Sequence, residues 1–361
     1  MTKEKIIVGL SGGVDSSVAA LLLKQQGFQV EALFMKNWDE KTASGACLWE
    51  ADVEDAVRIC DTLEIPLNTV DLSRAYWDEV FTNFLKEYAS GRTPNPDILC
   101  NQEVKFKAFL DHALDLGADR IATGHYARIR SIDGRRELLK GIDGNKDQSY
   151  FLCRMSQYQL AHCLFPIGDR LKPEVRKIAA DAGLITHDKK DSTGICFIGE
   201  RPFRDFLSNY LPVNGGAIRT TGGLVIGEHP GIQFYTLGQR KGLGIGGVKG
   251  AGEGPWYVVA KDTVKNELIV DQDHDSPMLF NSRLTAVTLH WVNDQLPEFP
   301  LYCHAKTRFR QPDQECIVDA AAEGEVKVRF TSPQWAVTPG QYVVFYDRDV
   351  CLGGGVIDST D

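Results

Sequence analysis

The sequence predicts an α/β chain: a doubly wound parallel sheet, then a small mixed domain, then a C-terminal β-barrel. Three observations predict it. Residues 1 to about 125 alternate strand-like apolar runs with helical patterns, the order of a parallel sheet covered by helices on both faces. Residues 212 to 255 are dense in glycine and show no helical period. From about residue 256 onward, short runs of alternating apolar residues recur between Gly, Pro, Asp and Asn, as in a small closed sheet. The expected domains are 1–200, 201–275 and 276–361.

The first strand, Ile6–Leu10, breaks at the turn Ser11-Gly12-Gly13-Val14-Asp15-Ser16. Val14–Gln26 then reads as a helix, with Val18, Leu21 and Leu22 on one face and Gly27 as its stop. Further strands are expected at Val30–Met35, Leu67–Asp71 and Arg120–Thr123, and helices at Ala51–Leu63, Tyr76–Ala89 and Val104–Leu116. A hairpin turns at Asp133-Gly134, and Pro173–Ala182 is helical. The later strand-like runs are Trp256–Ala260, Glu267–Val270, Val287–Trp291, Glu325–Phe330 and Tyr342–Tyr346.

A length of 361 residues exceeds one typical core, and 43% hydrophobic with 25% charged residues is the balance of a globular chain. Met1-Thr2-Lys3-Glu4 leads straight into a strand, and no apolar run approaches the roughly 18 residues of a membrane span. A cytoplasmic protein with no membrane partner is expected. Nine cysteines, an odd number without a Cys-x-x-Cys pair, fit a reducing compartment and speak against a bound zinc ion or iron–sulfur cluster. The net charge of −9 disfavours nucleic acid in bulk, yet residues 170–190 hold six Lys/Arg against three Asp/Glu. Lys306, Arg308 and Arg310 likewise fall in a run, 301–312, that contains no acid. An acidic chain can present a basic face.

A Gly-rich turn between strand and helix aims backbone N–H groups at one point, in line with the helix dipole, and so favours phosphate. A kinase-type P-loop adds a lysine for the β- and γ-phosphates; this turn has none. Ser-Gly-Gly-Val-Asp-Ser instead resembles the PP-loop of ATP pyrophosphatases, proteins of the adenine nucleotide alpha hydrolase type. These split ATP between its α- and β-phosphates and leave AMP on a substrate oxygen. The plainer alternative is a helix cap made by Ser and Asp.

Two cysteines stand in unusual surroundings. In Thr93-Pro94-Asn95-Pro96-Asp97-Ile98-Leu99-Cys100-Asn101, Asn95 suits an N-cap and Pro96 a first helical residue, which puts Asp97 and Cys100 on one face of the opening turn. A helix N-terminus favours a thiolate, and a neighbouring carboxylate opposes it but can relay a proton. Cys196 lies in Asp191-Ser192-Thr193-Gly194-Ile195-Cys196-Phe197-Ile198-Gly199, a Gly-flanked loop after Lys189-Lys190, a setting for a reactive thiolate. The other seven, such as Cys60, Cys303 and Cys316, read as buried small hydrophobes.

These motifs, with Gly124-His125-Tyr126, Lys146-Asp147-Gln148-Ser149-Tyr150-Phe151, Leu237–Leu243 and Ala336–Gln341, resemble in order those of the bacterial tRNA-specific 2-thiouridylases. The resemblance covers nearly the whole chain. It implies that Gly9, Leu10, Ser11, Gly12, Gly13, Val14, Asp15, Ser16, Met35 and Gly124 hold ATP, used with Mg²⁺. It implies that Asn95, Pro96 and Asp97 face the target uridine. His125, Lys146, Asp147, Gln148, Arg308, Phe309 and Gln341 would contact the tRNA anticodon arm. Related sequences often carry Tyr where Phe309 stands, so stacking on a base is retained and a hydroxyl contact is not.

The implied chemistry is 2-thiolation of the wobble uridine in tRNAs for Lys, Glu and Gln. ATP adenylates the C2 oxygen, and a persulfide on Cys196, loaded by a sulfur-relay protein, attacks C2 as AMP leaves. Cys100 then attacks the Cys196 sulfur, releasing 2-thiouridine and a Cys100–Cys196 disulfide, with Asp97 shuttling protons. Such a bond needs the two Cα atoms within about 7 Å. Two other readings compete: an amide-forming PP-loop ligase fed by ammonia, which leaves the paired cysteines unexplained, and a non-catalytic RNA-binding protein, which leaves the intact turn unexplained.

Overall fold

Strand β1 (Lys5–Gly9) is apolar on both faces because both are covered. Ile6 and Val8 enter one core and Ile7 another, all three fully buried, as at the centre of a parallel sheet. The computed structural model describes residues 3–38, 49–191, 203–246, 252 and 254–361. β1 is flanked by β2 (Gln29–Lys36) and β4 (Arg120–Ala122), with β3 (Leu67–Asp71) beyond β2 and β7 (Cys163–Leu164) beyond β4. All four pairings are parallel. The short β7 has no expectation in the sequence, since two residues carry no readable period.

Helices α1 (Val14–Gln25) and α2 (Glu50–Leu63), with Val175 and Ala179 of the helix Lys172–Asp181, cover the Ile6 face. A continuous helix over residues 96–115 covers the Ile7 face through Ile98, Phe106, Phe109, Leu110 and Ala113. It starts at Pro96, earlier than the apolar period from Val104 suggests, because the period registers only once the helix meets the sheet. From Cys100 to Ala108 its turns widen to i→i+5 hydrogen bonding, so that the Phe109 N–H reaches the Val104 carbonyl. Such widened turns recur at functional sites.

The middle domain is a four-stranded sheet in the order β10-β11-β8-β9, built from β8 (Gly216–Thr220), β9 (Val225–His229), β10 (Tyr257–Asp262) and β11 (Glu267–Asp271). The runs at 256–260 and 267–270, whose alternation resembles the barrel's although they fall within the expected domain 201–275, pair here. Alternation identifies a strand but not its partner, and Val258, Leu268 and Val270 share a core with Ile218. That core also takes Tyr76, Val80, Phe81 and Phe84 from the helical residues 73–89, and Cys100.

The barrel comprises β12 (Phe280–Trp291), β13 (Leu301–Lys306), β14 (Gln314–Ala320), β15 (Glu325–Trp335), β16 (Tyr342–Asp347) and β17 (Val350–Thr360). β12 pairs with both β15 and β17 and closes the six strands. β17 escapes sequence reading because Gly353-Gly354-Gly355 interrupts its pattern. The backbone of neighbouring strands explains the glycines: a Cβ on Gly353 would lie 2.1 Å from the His290 carbonyl oxygen, and one on Gly354 2.5 Å from that of Val343.

The hairpin β5 (Ala127–Ile132) and β6 (Arg135–Lys140) turns at Asp133 and Gly134, both with positive φ. It adds to the barrel sheet, not to the parallel one: Leu138 and Leu139 register with Cys351 and Val350. One core accordingly joins Ile7, Leu33 and Phe109 to Tyr342, Val344 and Tyr346. Within it the buried Tyr150 hydroxyl donates to the Tyr342 carbonyl at 2.9 Å, and the Ser149 and Tyr346 hydroxyls meet at 3.2 Å. Tyr150→Phe leaves that carbonyl without its donor. A loss of about 1–3 kcal/mol is expected, read as a lower denaturant midpoint at unchanged slope; an unchanged midpoint would show that the contact does not bind the two parts.

Candidate active site

The turn after β1 is shaped by glycine. Gly12 has φ +69°, and a Cβ there would lie 2.5 Å from the Asp52 carbonyl oxygen. Gly13 is the N-cap of α1 and supplies no side-chain hydrogen bond to its first turn, so the turn does not act as a side-chain cap. The serines work inward. The Ser11 N–H donates to Ser16 Oγ at 3.2 Å, and the Ser16 and Ser17 hydroxyls donate to the Gly13 carbonyl at 3.1 and 2.6 Å. The amides at the start of α1 are thereby left to a ligand.

Gly124, just beyond β4, approaches the same turn so closely that a Cβ would lie 2.6 Å from both Asp15 C and Ser16 N. The Met35 Cε, from the end of β2, would lie 3.5 Å from a Cβ on Gly9, and the Leu10 N–H donates to Leu33 O at 3.1 Å. Gly9, Leu10, Ser11 to Ser16, Met35 and Gly124 therefore gather at the carboxyl edge, where the strand order reverses between β1 and β4, the ligand crevice of such sheets.

Sequence reasoning missed the cations. Lys172, first residue of its helix and 7% exposed, donates to both Asp15 carboxylate oxygens at 2.8 Å and pairs with Asp191 at 2.7 Å. The Tyr126 hydroxyl also donates to Asp15, at 2.9 Å. Lys146 and Arg176 converge on Asp191. Lys189 donates to the Gly12 carbonyl at 3.0 Å and bridges to Asp52 and Asp55 of α2. The lysine absent from the turn thus arrives from 157 residues away. The signal available was the basic stretch 170–190, which read only as a diffuse patch.

Cys100 is fully buried in the core that joins the helical residues 73–89 to the middle domain. Asp97 lies one turn before it, with Pro96 as first helical residue and Asn95 as N-cap without a side-chain capping bond. The same helix reaches the nucleotide turn, since a Cβ on Gly9 would lie 3.3 Å from the Phe109 ring. Its leading end is braced from the barrel. Gln341 Nε2 donates to the Thr93 and Pro94 carbonyls at 2.8 and 3.1 Å, and the Thr93 N–H donates to Pro339 O at 3.0 Å. Two buried amide atoms of this segment have no partner, Oδ1 of Asn95 and Oδ1 of Asn101, and neither has the side-chain amide of Asn37 after β2. Each such group costs about 1–3 kcal/mol unless something satisfies it.

The other residues expected at RNA divide by exposure. Asp147 is buried, its carboxylate accepting from the Gly141 and Ser149 N–H groups and the Ser149 hydroxyl. Gln148 Oε1 accepts the Tyr126 N–H. His125 is buried against Phe106 and Phe165, with Nδ1 2.8 Å from Thr123 Oγ1, and burial pushes its pKa well below the ordinary value. Lys146, Arg308 and Phe309 are half-buried. Arg308 lies over the Trp335 ring and donates to Ala336 O, and the Phe309 ring packs against Phe151, centroids 4.4 Å apart and planes tilted by 41°.

Cys196 and Cys47 lie outside the described residues. Burial raises the Cys60 thiol to about 11 and the Cys153 thiol to about 12, and also holds Cys163 and Cys351 well above the ordinary value. Cys303 Sγ meets Cys316 Sγ at 3.7 Å, and that contact and burial raise Cys303 as well. Among the described residues no group of three or more His, Cys, Asp or Glu gathers to hold a metal ion, and no helix is long and apolar enough to cross a membrane.

Burial opposes ionisation of Asp191, but the hydrogen bonds from Lys146 and Lys172 outweigh it and hold the carboxyl at about 2. Because this lies below the ordinary value of about 3.9, the ion pairs stabilise the fold fully above about pH 4 and lose that contribution as pH falls through about 2. Asp191→Asn is expected to flatten the pH dependence of stability in that window, measured by urea denaturation. An unchanged slope would show that the cluster contributes nothing there.

Comparison with known proteins follows the same divisions. Residues 4–200 match a family described as tRNA methyl transferase HUP domain. Residues 204–272 match a tRNA methyl transferase PRC-barrel domain, and residues 281–357 an aminomethyltransferase beta-barrel domain. A tRNA-specific 2-thiouridylase of Pseudomonas paraeruginosa is 59% identical over 99% of this chain and 96% of its own length. Proteins of the same name from Pasteurella multocida and Klebsiella pneumoniae are each 58% identical, over 99% of this chain and 94% and 97% of their own lengths.

Proposed function

Since the chain belongs to the tRNA-specific 2-thiouridylase family, we propose that it adenylates O2 of a wobble uridine in tRNA and replaces that oxygen with sulfur. One observation carries the reading from geometry. A single helix bears Asp97 and Cys100 at its head and places Phe109 against Gly9, so a thiol and a nucleotide turn share one rigid frame. A phosphate turn alone would serve a ligase equally well; the thiol on the same frame favours sulfur chemistry. The relatives that match over nearly the full length are named for thiolation.

Phosphates enter against the free amides of α1 and the glycine cradle at Gly12. Lys172 transfers part of its charge from Asp15 to the departing pyrophosphate, the place where negative charge develops. Asp15, a hard carboxylate at the turn, would hold a Mg²⁺ ion brought with ATP, which would supply further positive charge to the phosphates. AMP remains on uridine O2 and makes C2 electrophilic. The terminal sulfur of a Cys196 persulfide, supplied by a relay protein, forms the C2–S bond as AMP leaves. The Cys100 thiolate then takes the inner sulfur, which frees 2-thiouridine and leaves a disulfide for an external thiol to reduce. Asp97 accepts the Cys100 proton. Asn95 and Pro96 border the base, while Arg308, Phe309 and Lys146 offer charge and an aromatic face to the anticodon arm.

The test is thiolation of unmodified tRNA for Glu with Mg-ATP and a persulfide-bearing relay protein as sulfur donor, read by mass spectrometry of the digested RNA. Product is expected with wild type and none with Cys196→Ser or Cys100→Ser, while pyrophosphate release persists in both variants. No product from wild type, with pyrophosphate still released, would send the search to another acceptor. A second measurement isolates the turn. Lys172→Met is expected to slow tRNA-dependent pyrophosphate release by about 10²–10³-fold while RNA affinity stays within about twofold; an unaltered rate would remove Lys172 from the phosphate site.

A further inference from the structure

Asn101 follows Cys100 directly and has no part in the scheme above. It is 3% exposed, and its side chain is only half satisfied. Nδ2 donates to the Phe151 carbonyl at 3.1 Å, while Oδ1 is buried without a partner. The assignment of the two amide atoms is not arbitrary, because a backbone carbonyl accepts only from the NH₂ side. Phe151 therefore fixes Asn101 with a bare acceptor turned away from it. A free asparagine can rotate its amide to suit any base edge. This one cannot.

We propose that Asn101 Oδ1 selects uracil over cytosine at the target position by accepting the base N3–H. This deepens the thiolation reading and rests on it. Chemistry occurs at C2, and N3 is the ring atom bonded to C2 on the side away from the sugar. Asn101 lies one turn after Asp97 on the same helix, a spacing that puts two side chains on one face, so a group beside the carboxylate that borders the base is placed to meet N3. Uracil offers N–H there. Cytosine offers a lone pair, which would face the Oδ1 lone pairs in a water-poor pocket, and a buried polar group left unmatched discriminates more strongly than a missing apolar contact. The acceptor also holds the N3 proton while O2 is adenylated, so that positive charge grows on a ring already facing an oxygen.

The experiment compares kcat/KM of wild type and Asn101→Ala on anticodon stem-loops carrying uridine, cytidine or 3-deazauridine, in which C–H replaces N3–H. The uridine-to-3-deazauridine ratio in the variant reports the analogue's intrinsic reactivity, so the change in ratio measures the contact. Both the uridine-to-cytidine and the uridine-to-3-deazauridine ratios are expected to fall by about 10–100-fold in Asn101→Ala. Should that variant unfold, Asn101→Ser gives the same comparison, since a hydroxyl can donate or accept and is expected to relax the uridine preference. Equal loss on all three RNAs would make Asn101 a structural amide and overturn the proposal while leaving thiolation intact. Failure of wild type to thiolate the uridine stem-loop at all would overturn both.

Discussion

The site depends on one close approach, that of Gly124 to the peptide between Asp15 and Ser16. A single carbon on Gly124 would stand 2.6 Å from two backbone atoms, so the distance between the ends of β1 and β4 is set by backbone on backbone, with no side chain to yield. That contact decides where the first turn of α1 lies. The tyrosine after it in the chain, Tyr126, can then reach Asp15, and the crevice at the strand-order reversal acquires its width. Gly12 repeats the device on the other side of the turn, against α2. The nucleotide turn is thus clamped between two parts of the fold before any ligand is considered.

Charge is organised around that clamp from a distance. Lys172, Lys189, Lys146 and Arg176 come from three segments remote from the turn, and each is matched by a carboxylate in the absence of phosphate. Buried lysine and aspartate are tolerated because they are paired. These pairs hold the cations in position around the turn, so on the function proposed above Lys172 would meet phosphate by exchanging carboxylate oxygens for phosphate oxygens.

The parts legible in sequence were those whose cause is local. Ser11 to Ser16 announce a phosphate turn because strand, glycines and helix are contiguous, and Asn95-Pro96 announce a helix start for the same reason. The place of Lys172 beside the turn was not legible, since only the packing of its helix on α1 brings it to Asp15. β17 was hidden by the three glycines that let it pass close to β12 and β16. The runs at 256–260 and 267–270 are legible as strands and fall inside the expected domain 201–275, yet their alternation cannot be told from the barrel's, because pairing partners are a property of the whole chain. Asp147, Gln148 and Gln341, expected at RNA, hold the local backbone with their side chains, a use that depends on neighbours far away in sequence.

The hairpin of β5 and β6 belongs by sequence to the nucleotide half, yet its outer edge is finished by β17, the last strand of the chain and roughly two hundred residues later. A nascent chain that has made the entire nucleotide half still carries an open sheet edge and half of a shared core. Contacts so far apart in sequence form late and slowly. Formation of the barrel strands is therefore the step that locks Tyr150 and the Gln341 brace, and with them the leading end of the Cys100 helix. A variant cut before Gln341 would lose both the acceptor of the Tyr150 hydroxyl and the side chain that holds the Thr93 and Pro94 carbonyls. The barrel thus carries part of the nucleotide half's architecture, and the two cannot be completed independently.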